Sequence, residues 1–309
     1  MPFIRTEACR AVLACETVPE LPEVEVTRRQ LEPLLVGRRV ERVFTSVPSY
    51  FFLTPPDVLR RRLRGRRFAS IDRVGKYLLA RFEDGERLLL HLGMTGQIFG
   101  AGIPGVRLLS STAGASLSPE QQLQAFRPDK HTHLRLRFDD GGPDVLFRDA
   151  RKFGKVQLIK PDEPSARLDR LGPDALSASG RLLFAAVRNH RVPVKSLLLD
   201  QSLLAGVGNI YADEALFLAR VRPTRPGRRV SRAECDRIAS AIRKVLRRSI
   251  ATGGSSISDY VQPDGSSGAY QDERRVYGRE GEPCPRCRTK IRRRVLGQRS
   301  SHYCPSCQA

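Results

Sequence analysis

Two cysteine pairs near the end of the chain constrain its fold more than any other feature. The pairs are Cys284-Pro285-Arg286-Cys287 and Cys304-Pro305-Ser306-Cys307, and 16 residues separate them. Two knuckles at this separation present four thiolates tetrahedrally to one zinc ion. A dithiol redox motif is the alternative, but it would not need a second pair at this distance. We therefore expect a C-terminal zinc ribbon that binds one structural Zn²⁺ through Cys284, Cys287, Cys304 and Cys307, and no organic cofactor.

The charge of the chain favours a polyanionic partner. Its 309 residues include 54 Lys and Arg against 33 Asp and Glu, which gives a formal net charge of +21 at pH 7. Nucleic acid is the first candidate for such a basic protein. A membrane is disfavoured as a partner, because no apolar run is long enough to span one and no long basic amphipathic helix is present. The odd number of cysteines, seven, without a signal peptide indicates a reducing compartment, so we expect a cytoplasmic protein.

The spacing of apolar residues divides the chain into a β-rich and an α-rich part. After a helix at 22–35, short and often alternating apolar segments predict a β-sandwich; they lie at 66–74, 77–82, 87–92, 133–138, 144–148 and 155–159. Helical periodicity follows a linker at 160–165, in segments at 182–187, 194–199, 210–218 and 238–250. We expect an α+β multidomain protein with an extension at 1–18, a β-sandwich domain at 19–160, a helical domain at 166–280 and a zinc finger at 281–309.

Six motifs occur in an order that is typical of one family of DNA-repair enzymes. They are PELPEVE at 19–25, GKYLL at 75–79, HLGMTG at 91–96, RDARKFG at 148–154, GVGNIYADE at 206–214 and QRSSHYCPSC at 298–307. Together they resemble the formamidopyrimidine-DNA glycosylases, the bacterial Fpg/MutM type of the Fpg/Nei family. The resemblance covers 19–309 apart from much of 100–128, which we interpret as a surface insertion. It implies an N-terminal β-sandwich with flanking helices, a helix–two-turn–helix domain and a zinc finger, in a monomer that binds damaged double-stranded DNA at the bacterial nucleoid.

The resemblance also implies a bifunctional glycosylase and abasic-site lyase that excises 8-oxoguanine and formamidopyrimidines by Schiff-base chemistry in base-excision repair. A lyase of this kind needs an amine nucleophile, because attack on the sugar C1′ gives an iminium that acidifies the neighbouring C–H. Pro19 matches the family nucleophile; a terminal α-amino group has a pKa near ~8, so a useful fraction is unprotonated at neutral pH. Glu20 would protonate the opening sugar ring or the departing base. Lys76 and Arg299 match residues that assist the β- and δ-elimination steps and bind phosphate.

Eight further residues are candidates for DNA contacts, six by their match to the family and two, His190 and Arg191, as a basic pair before the helices. Met94, Arg151 and Phe153 would fill the space that the flipped base leaves, although Met94 and Phe153 would also suit ordinary core packing. Asn209 follows a Gly-Val-Gly string at a predicted helix start, where backbone N–H groups can hold a phosphate. Residues 253–270 resemble the loop that closes over the flipped base. The other candidates for DNA binding are His91, His131, His190 and Arg191.

Two other functions fit part of this pattern. An endonuclease VIII-like enzyme of the same family would prefer oxidised pyrimidines, but the string Leu21-Pro22-Glu23 and the loop that ends at Tyr270 favour the purine branch. A non-catalytic DNA-binding protein on the same scaffold is the alternative from another class. Trapping a covalent protein–DNA adduct with borohydride would separate an enzyme from such a binding protein.

The residues before Pro19 conflict with its role, because a proline nitrogen inside an amide bond cannot act as a nucleophile. Val18 stands where the family has its initiator methionine. We therefore expect translation from a GTG codon at Val18, followed by removal of that residue, with Met1 to Thr17 as an upstream misreading. Proteolytic processing of a longer chain is the alternative.

This hypothesis makes a prediction about the terminus of the active protein. A form that starts at Pro19 should be trapped on damaged DNA by borohydride, whereas the 309-residue form should not, since its Pro19 nitrogen is acylated. Mass spectrometry of both preparations establishes which terminus is present. A chain that retains Met1 and is still trapped would contradict Pro19 as the nucleophile and would point to a lysine such as Lys76.

Overall fold

The computed structural model describes residues 18–102, 128–256, 260 and 262–309. The predicted extension up to Thr17 and most of the insertion at 100–128 lie outside these residues. In the N-terminal part, two antiparallel four-stranded sheets have the strand orders β1-β6-β7-β5 and β2-β3-β4-β8. The strands are β1 (Val40–Thr45), β2 (Phe68–Val74), β3 (Tyr77–Phe82), β4 (Arg87–His91), β5 (Gly96–Gly100), β6 (Thr132–Phe138), β7 (Val145–Asp149) and β8 (Lys155–Ile159).

The two sheets enclose one hydrophobic core, as the sequence pattern predicts for a sandwich. Along β6, Leu134 and Leu136 are buried whereas Arg135 between them is partly exposed, which is the alternation of a strand with one face on a core. Leu134 lies opposite Phe147 of β7. The second sheet contributes buried residues to the same core, among them Ile71, Leu78, Leu88 and Leu90.

Helix α1 (Leu21–Leu35) joins the sandwich to the helical domain. Pro22 suits the first turn of the helix, where its missing N–H would have no partner, and the chain leaves the helix through Gly37 at φ +80°. Val24 and Leu31 belong to the sandwich core, whereas Leu21 belongs to the core of the helical domain. The start of α1 therefore lies at the boundary between the two cores.

The second domain is helical, as predicted. Its longest helix begins with a capping box, in which the Ser231 hydroxyl accepts from Glu234 N–H at 3.2 Å and the Glu234 carboxylate accepts from Ser231 N–H at 2.8 Å. Among the described residues, no helix is both apolar and long enough for a membrane span. The helices are α3 (Gly180–Val187), α4 (Val194–Leu199), α5 (Asn209–Ala219) and α6 (Arg232–Ala251), with 3₁₀ turns at Gly227–Arg229 and Tyr270–Glu273.

The zinc ribbon is a hairpin of β9 (Arg292–Leu296) and β10 (Arg299–Tyr303) that packs on the helical domain. Gly297 and Gln298 form its two-residue turn with φ values of +52° and +61°, the backbone that tight hairpins favour. Cys284 and Cys304 pack with Ile291 of the ribbon against Phe217 and Val276. This contact fixes the ribbon beside α5.

Three elements of the sandwich domain escape the sequence pattern, each for a physical reason. A register shift between Val40 and Arg42 breaks the alternation of β1. Every residue of β5 is buried, so its sequence does not alternate between apolar and polar residues. Its two ends are glycines, which do not favour strands. Helix α2 (Pro56–Leu63) is short and carries three consecutive arginines, which leaves few apolar residues to show a period.

Candidate active site

A cavity of about 250 Å³ lies where the sandwich domain, the helical domain and the zinc ribbon meet. It brings together Glu20, Lys76, Asn209 and Arg299, which the sequence places in four separate segments. Val18 also lines the cavity, so the Pro19 nitrogen that is bonded to it lies beside the same space. The complete lining is Val18, Glu20, Lys76, Leu199, Gln201, Gly208, Asn209 and Arg299.

The Glu20 carboxylate is buried at the start of α5. One carboxylate oxygen accepts from Gly208 N–H at 2.8 Å and the other from Ile210 N–H at 2.8 Å. These donors and the helix dipole favour the charged carboxylate, and so does Lys76. Burial is the larger effect and raises the pKa of Glu20 to about 7. Glu20 is therefore able to donate a proton near neutral pH.

A glycine is required opposite Glu20. A β-carbon at Gly208 would lie 2.3 Å from the Glu20 carboxyl carbon, a distance that no side chain tolerates. Only glycine lets this carboxylate approach the first N–H groups of α5 so closely.

Lys76 reaches the cavity from the turn between β2 and β3. Gly75 has φ +57°, and a β-carbon there would lie 3.2 Å from the Ala205 β-carbon, so the turn is packed against the helical domain. Burial lowers the pKa of the Lys76 ammonium, and the charges of Glu20 and Glu23 oppose this shift. The result is a lysine that can bind an anion and gives up its proton more readily than a surface lysine.

Asn209 is the first residue of α5, and its side-chain amide lies between two hydroxyl groups. The amide nitrogen is 3.3 Å from Ser300 Oγ and 3.4 Å from Tyr277 Oη. Asn209 therefore links the helix start that binds Glu20 to strand β10 of the ribbon.

A buried ion pair holds the segment that carries Arg299. Lys195 Nζ lies 2.7 Å from Asp213 Oδ1, and both side chains have no solvent exposure. Lys195 also donates to the Ser300 carbonyl at 2.6 Å, and Asp213 accepts from His302 N–H at 2.8 Å. The backbone on the C-terminal side of Arg299 is thus bound to the helical domain by charge-assisted hydrogen bonds.

Glu23 lies in the first turn of α1 and has contacts that an acidic residue at a helix start does not by itself predict. It is buried, and its carboxylate accepts from Glu20 N–H at 2.9 Å, from Ser255 N–H at 2.8 Å and from the Tyr211 hydroxyl. Burial raises its pKa. Glu23 therefore connects the start of α1 to α5 and to the described part of the 253–270 loop. Its presence in the PELPEVE motif is the signal that could have identified it.

The candidate base-flipping residues lie on the sandwich domain. Met94 is in the turn between β4 and β5, and Arg151 and Phe153 are in the turn between β7 and β8. Phe153 is 39% exposed, so its ring is not enclosed in the sandwich core. The Arg151 guanidinium lies 4.8 Å from the centre of the Phe153 ring. Both side chains are thus available at one place on the surface.

His91 ends β4 as a neutral hydrogen-bond donor. Its Nδ1 accepts from Gly93 N–H at 3.2 Å, so Nε2 carries the proton of the neutral ring. Burial and the nearby charges of Lys76, Arg167 and Lys155 lower the pKa of His91 to about 4. The ring therefore stays uncharged at neutral pH and can donate to a phosphate through Nε2.

The other predicted DNA contacts lie away from the cavity lining. His131 is partly exposed just before β6, and its backbone N–H donates to the Asp129 carboxylate at 3.0 Å. His190 and Arg191 are exposed in the loop between α3 and α4. None of the three is among the residues that line the cavity, and their role in DNA binding stays a prediction.

The four predicted zinc ligands are brought together in the ribbon. Their sulfur atoms all lie within 4.8 Å of one another, with 3.9 Å between those of Cys284 and Cys307 and 3.4 Å between those of Cys287 and Cys304. A tetrahedral site with Zn–S bonds of about 2.3 Å needs sulfur atoms about 3.8 Å apart. The thiolates therefore fit one structural zinc ion with no open position for a substrate.

Comparison with known families gives consistent matches along the chain. Residues 18–156 match the formamidopyrimidine-DNA glycosylase N-terminal domain and residues 171–261 the H2TH domain of the same enzymes. Residues 281–309 match a zinc finger that is found in FPG and IleRS. These matches agree with the expected fold class and with the expected zinc ion.

Individual proteins are similar over nearly their whole length. A formamidopyrimidine-DNA glycosylase of Solibacter usitatus is 42% identical over 94% of this chain and 99% of its own. The crystal structure of the Thermus thermophilus MutM (FPG) protein is 39% identical, with a TM-score of 0.78 over 94% of this chain and 98% of that one. A Lactococcus lactis FPG mutant in complex with Fapy-dG-containing DNA is 33% identical, with a TM-score of 0.80 over 94% of this chain and 99% of that one.

We predict that Cys304→Ser releases the zinc ion and weakens DNA binding while the sandwich stays folded, because its core shares no residue with the ribbon. Metal analysis, a binding titration and circular dichroism would test this. Cys235→Ala, which changes a buried cysteine of α6, is the matched control and should retain the metal. Unchanged metal content in the Cys304 variant would contradict the ligand assignment.

Proposed function

The chain belongs to the formamidopyrimidine-DNA glycosylase family, and from this premise we propose that it excises oxidised purines from duplex DNA and cuts the strand at the resulting abasic site. The observation that carries the proposal is the position of Glu20. A carboxyl group with a pKa of about 7 lies in a cavity beside Pro19, together with the cations Lys76 and Arg299. This is the set of groups that base excision followed by strand cleavage requires.

In the proposed mechanism, Pro19 acts through a free secondary amine. Its nitrogen attacks C1′ of the damaged nucleotide, the bond from C1′ to the base breaks, and the base leaves with the bonding electrons and takes up the proton that the amine nitrogen loses. Glu20 donates a proton to the ring oxygen as the sugar opens, and the nitrogen lone pair then forms the iminium. A carboxyl group whose pKa burial raises to about 7 is suited to this transfer.

Strand cleavage then follows from the acidity that the iminium creates. Loss of a C2′ proton expels the 3′ phosphate, and a second elimination expels the 5′ phosphate; water finally hydrolyses the Schiff base and restores the amine. We assign Lys76 to the first elimination, because its lowered pKa favours proton exchange. Arg299 would hold a leaving phosphate as a permanent cation. Asn209, at the first turn of α5, would bind the backbone next to the lesion.

The damaged base must leave the helix to reach this cavity. We propose that Met94, Arg151 and Phe153 enter the duplex from the sandwich side and occupy the space that the base leaves. An exposed aromatic ring and an adjacent guanidinium are suited to stacking and to bonding the orphaned partner base. The 253–270 loop, bound to Glu23 through Ser255, would cover the extruded base.

Substrate choice within the family is a separate question for experiment. One solved structure that is 33% identical to this chain is a Lactococcus lactis FPG bound to DNA with an oxidised pyrimidine, so pyrimidine lesions are the alternative substrate class. Excision rates on matched duplexes with 8-oxoguanine, a formamidopyrimidine or an oxidised pyrimidine would rank them. The relatives from Solibacter usitatus and Thermus thermophilus are bacterial proteins, and we propose that this protein acts as a monomer on the nucleoid.

We predict that Glu20→Gln slows base excision by about 10²–10⁴-fold, the usual contribution of a general acid. Cleavage of a preformed abasic site should be affected less, since its sugar already interconverts with the open-chain aldehyde in water and depends less on an acid to open the ring. Single-turnover assays on both substrates would measure the difference. Glu25→Gln is the matched control, because Glu25 lies on the same helix and pairs with Arg28, Arg29 and Arg73 outside the cavity lining.

The pKa of Glu20 also predicts the pH dependence of excision. The acid must be protonated, so the rate should fall as the pH rises above about 7. Lys76→Met removes a positive charge that lowers the pKa of Glu20, so the falling limb should move to higher pH. If the excision rate falls at the same pH in the parent and in Lys76→Met, another group supplies the proton.

We predict that Lys76→Ala and Arg299→Ala each reduce the salt dependence of DNA binding. Each lost phosphate contact lowers the slope of log K against log salt by about 0.9. Binding titrations at several salt concentrations would measure the slopes. Arg81→Ala is the control, because Arg81 lies near the other end of β3 and pairs with Asp72. Slopes equal to that of the parent would mean that neither residue touches phosphate.

A further inference from the structure

The turn between β7 and β8 carries Arg151 and Phe153 in a strained conformation. We call residues 149–154 the void-filling loop. Lys152 lies between Arg151 and Phe153 and has φ +59°. Residues other than glycine, asparagine and aspartate rarely adopt this backbone conformation. Such a conformation persists only where surrounding contacts hold it.

Asp149 holds the void-filling loop from the inside. Its side chain has no solvent exposure, and one carboxylate oxygen accepts from Gly154 N–H at 2.6 Å. The other accepts from Arg151 N–H at 3.2 Å and from the Thr95 hydroxyl. The Asp149 carboxylate therefore binds the backbone N–H groups of Arg151 and Gly154, which lie on either side of Lys152 and Phe153.

Tyr50 and Lys155 hold the same loop from the outside. The Tyr50 hydroxyl donates to the Arg151 carbonyl at 2.7 Å, and Lys155 Nζ donates to the carbonyls of Phe153 and Gly154 at 3.2 and 3.0 Å. Lys155 Nζ also lies 4.8 Å from the centre of the Tyr50 ring. Carbonyl groups along the loop are thus bound by two side chains that contact each other.

The position of Tyr50 is itself fixed by its neighbours. Phe51, the next residue, is fully buried and its ring lies 4.9 Å from that of Phe147 in β7. The Phe51 carbonyl accepts from Val156 N–H at 3.0 Å, just beyond the void-filling loop. Tyr50 nevertheless remains 58% exposed, although its hydroxyl is bonded. An exposed aromatic residue is therefore rigidly placed beside the void-filling loop.

We propose that Tyr50 is a positioning residue for base extrusion, and that it holds the void-filling loop so that Arg151 and Phe153 are preorganised before DNA binds. The proposal rests on the function proposed above, in which these two side chains fill the duplex. A loop that already has its bound conformation does not lose conformational freedom when it enters the stack. Tyr50 acts through the Arg151 carbonyl and need not touch the lesion.

Tyr50→Phe tests the proposal, because it removes the hydroxyl and keeps the ring beside Lys155. We expect single-turnover excision of 8-oxoguanine opposite cytosine to slow by about 3- to 10-fold, the effect of one lost hydrogen bond. Fluorescence of 2-aminopurine next to the lesion should report slower extrusion. The effect should shrink when a baseless spacer stands opposite the lesion, since less pairing is then broken. Val47→Ala, at a 73% exposed side chain before Tyr50, is the control.

The double variant with Phe153→Ala separates the possible outcomes. If Tyr50 acts through the void-filling loop, Tyr50→Phe should add little to the loss that Phe153→Ala already causes. Normal extrusion in Tyr50→Phe, with slow extrusion in Phe153→Ala, would overturn the inference and leave the void-filling role intact. Equal slowing of Tyr50→Phe on the duplex with cytosine and on the duplex with the baseless spacer would also overturn the inference, because a general loss of structure slows both reactions. Normal extrusion in both single variants would overturn the void-filling role itself.

Discussion

The contact between the Glu20 carboxylate and the first turn of α5 is the interaction on which the site depends. It joins the residue next to the candidate nucleophile to the helical domain through hydrogen bonds to Gly208 and Ile210. Loss of the Glu20 side chain would leave two buried N–H groups without a partner, and each such group costs roughly 1–3 kcal/mol. The same bonds set the chemistry, since burial raises the pKa of the carboxyl group while the helix start limits the rise. Position and acidity therefore have one cause.

The other groups of the cavity are held by contacts of the same kind. Lys195 and Asp213 are fully buried and bind the strand that begins at Arg299. Glu23 binds α5 and the segment at Ser255. Each of these carboxylates belongs to one domain or segment and accepts hydrogen bonds from another. The site is thus assembled by buried charges at the junctions, where apolar packing alone would not fix the relative positions so closely.

The sequence predicted most of the sandwich, the helices and the zinc ligands, because each depends on a local pattern or a fixed spacing. It also named Glu20, Lys76, Asn209 and Arg299, which line the cavity, although only the resemblance to a known family brought Pro19, Lys76 and Arg299 into one site. Tyr50 could not be recognised in the same way, and only the PELPEVE motif could have identified Glu23. A glutamate in a first helical turn and a tyrosine in a loop are ordinary in sequence, and their importance arises from partners more than 100 residues away. Strand β1 was missed because its bulge removes the period that defines a strand.

Helix α1 contributes Leu21 to one hydrophobic core and Val24 and Leu31 to the other. Neither domain is therefore a closed unit without α1. Loss of order in one domain removes part of the packing of α1 and so weakens the other domain, which couples the two domains in unfolding. A fragment that begins after α1 would contain two incomplete cores. The domains of this enzyme are therefore not modules that can be exchanged one at a time.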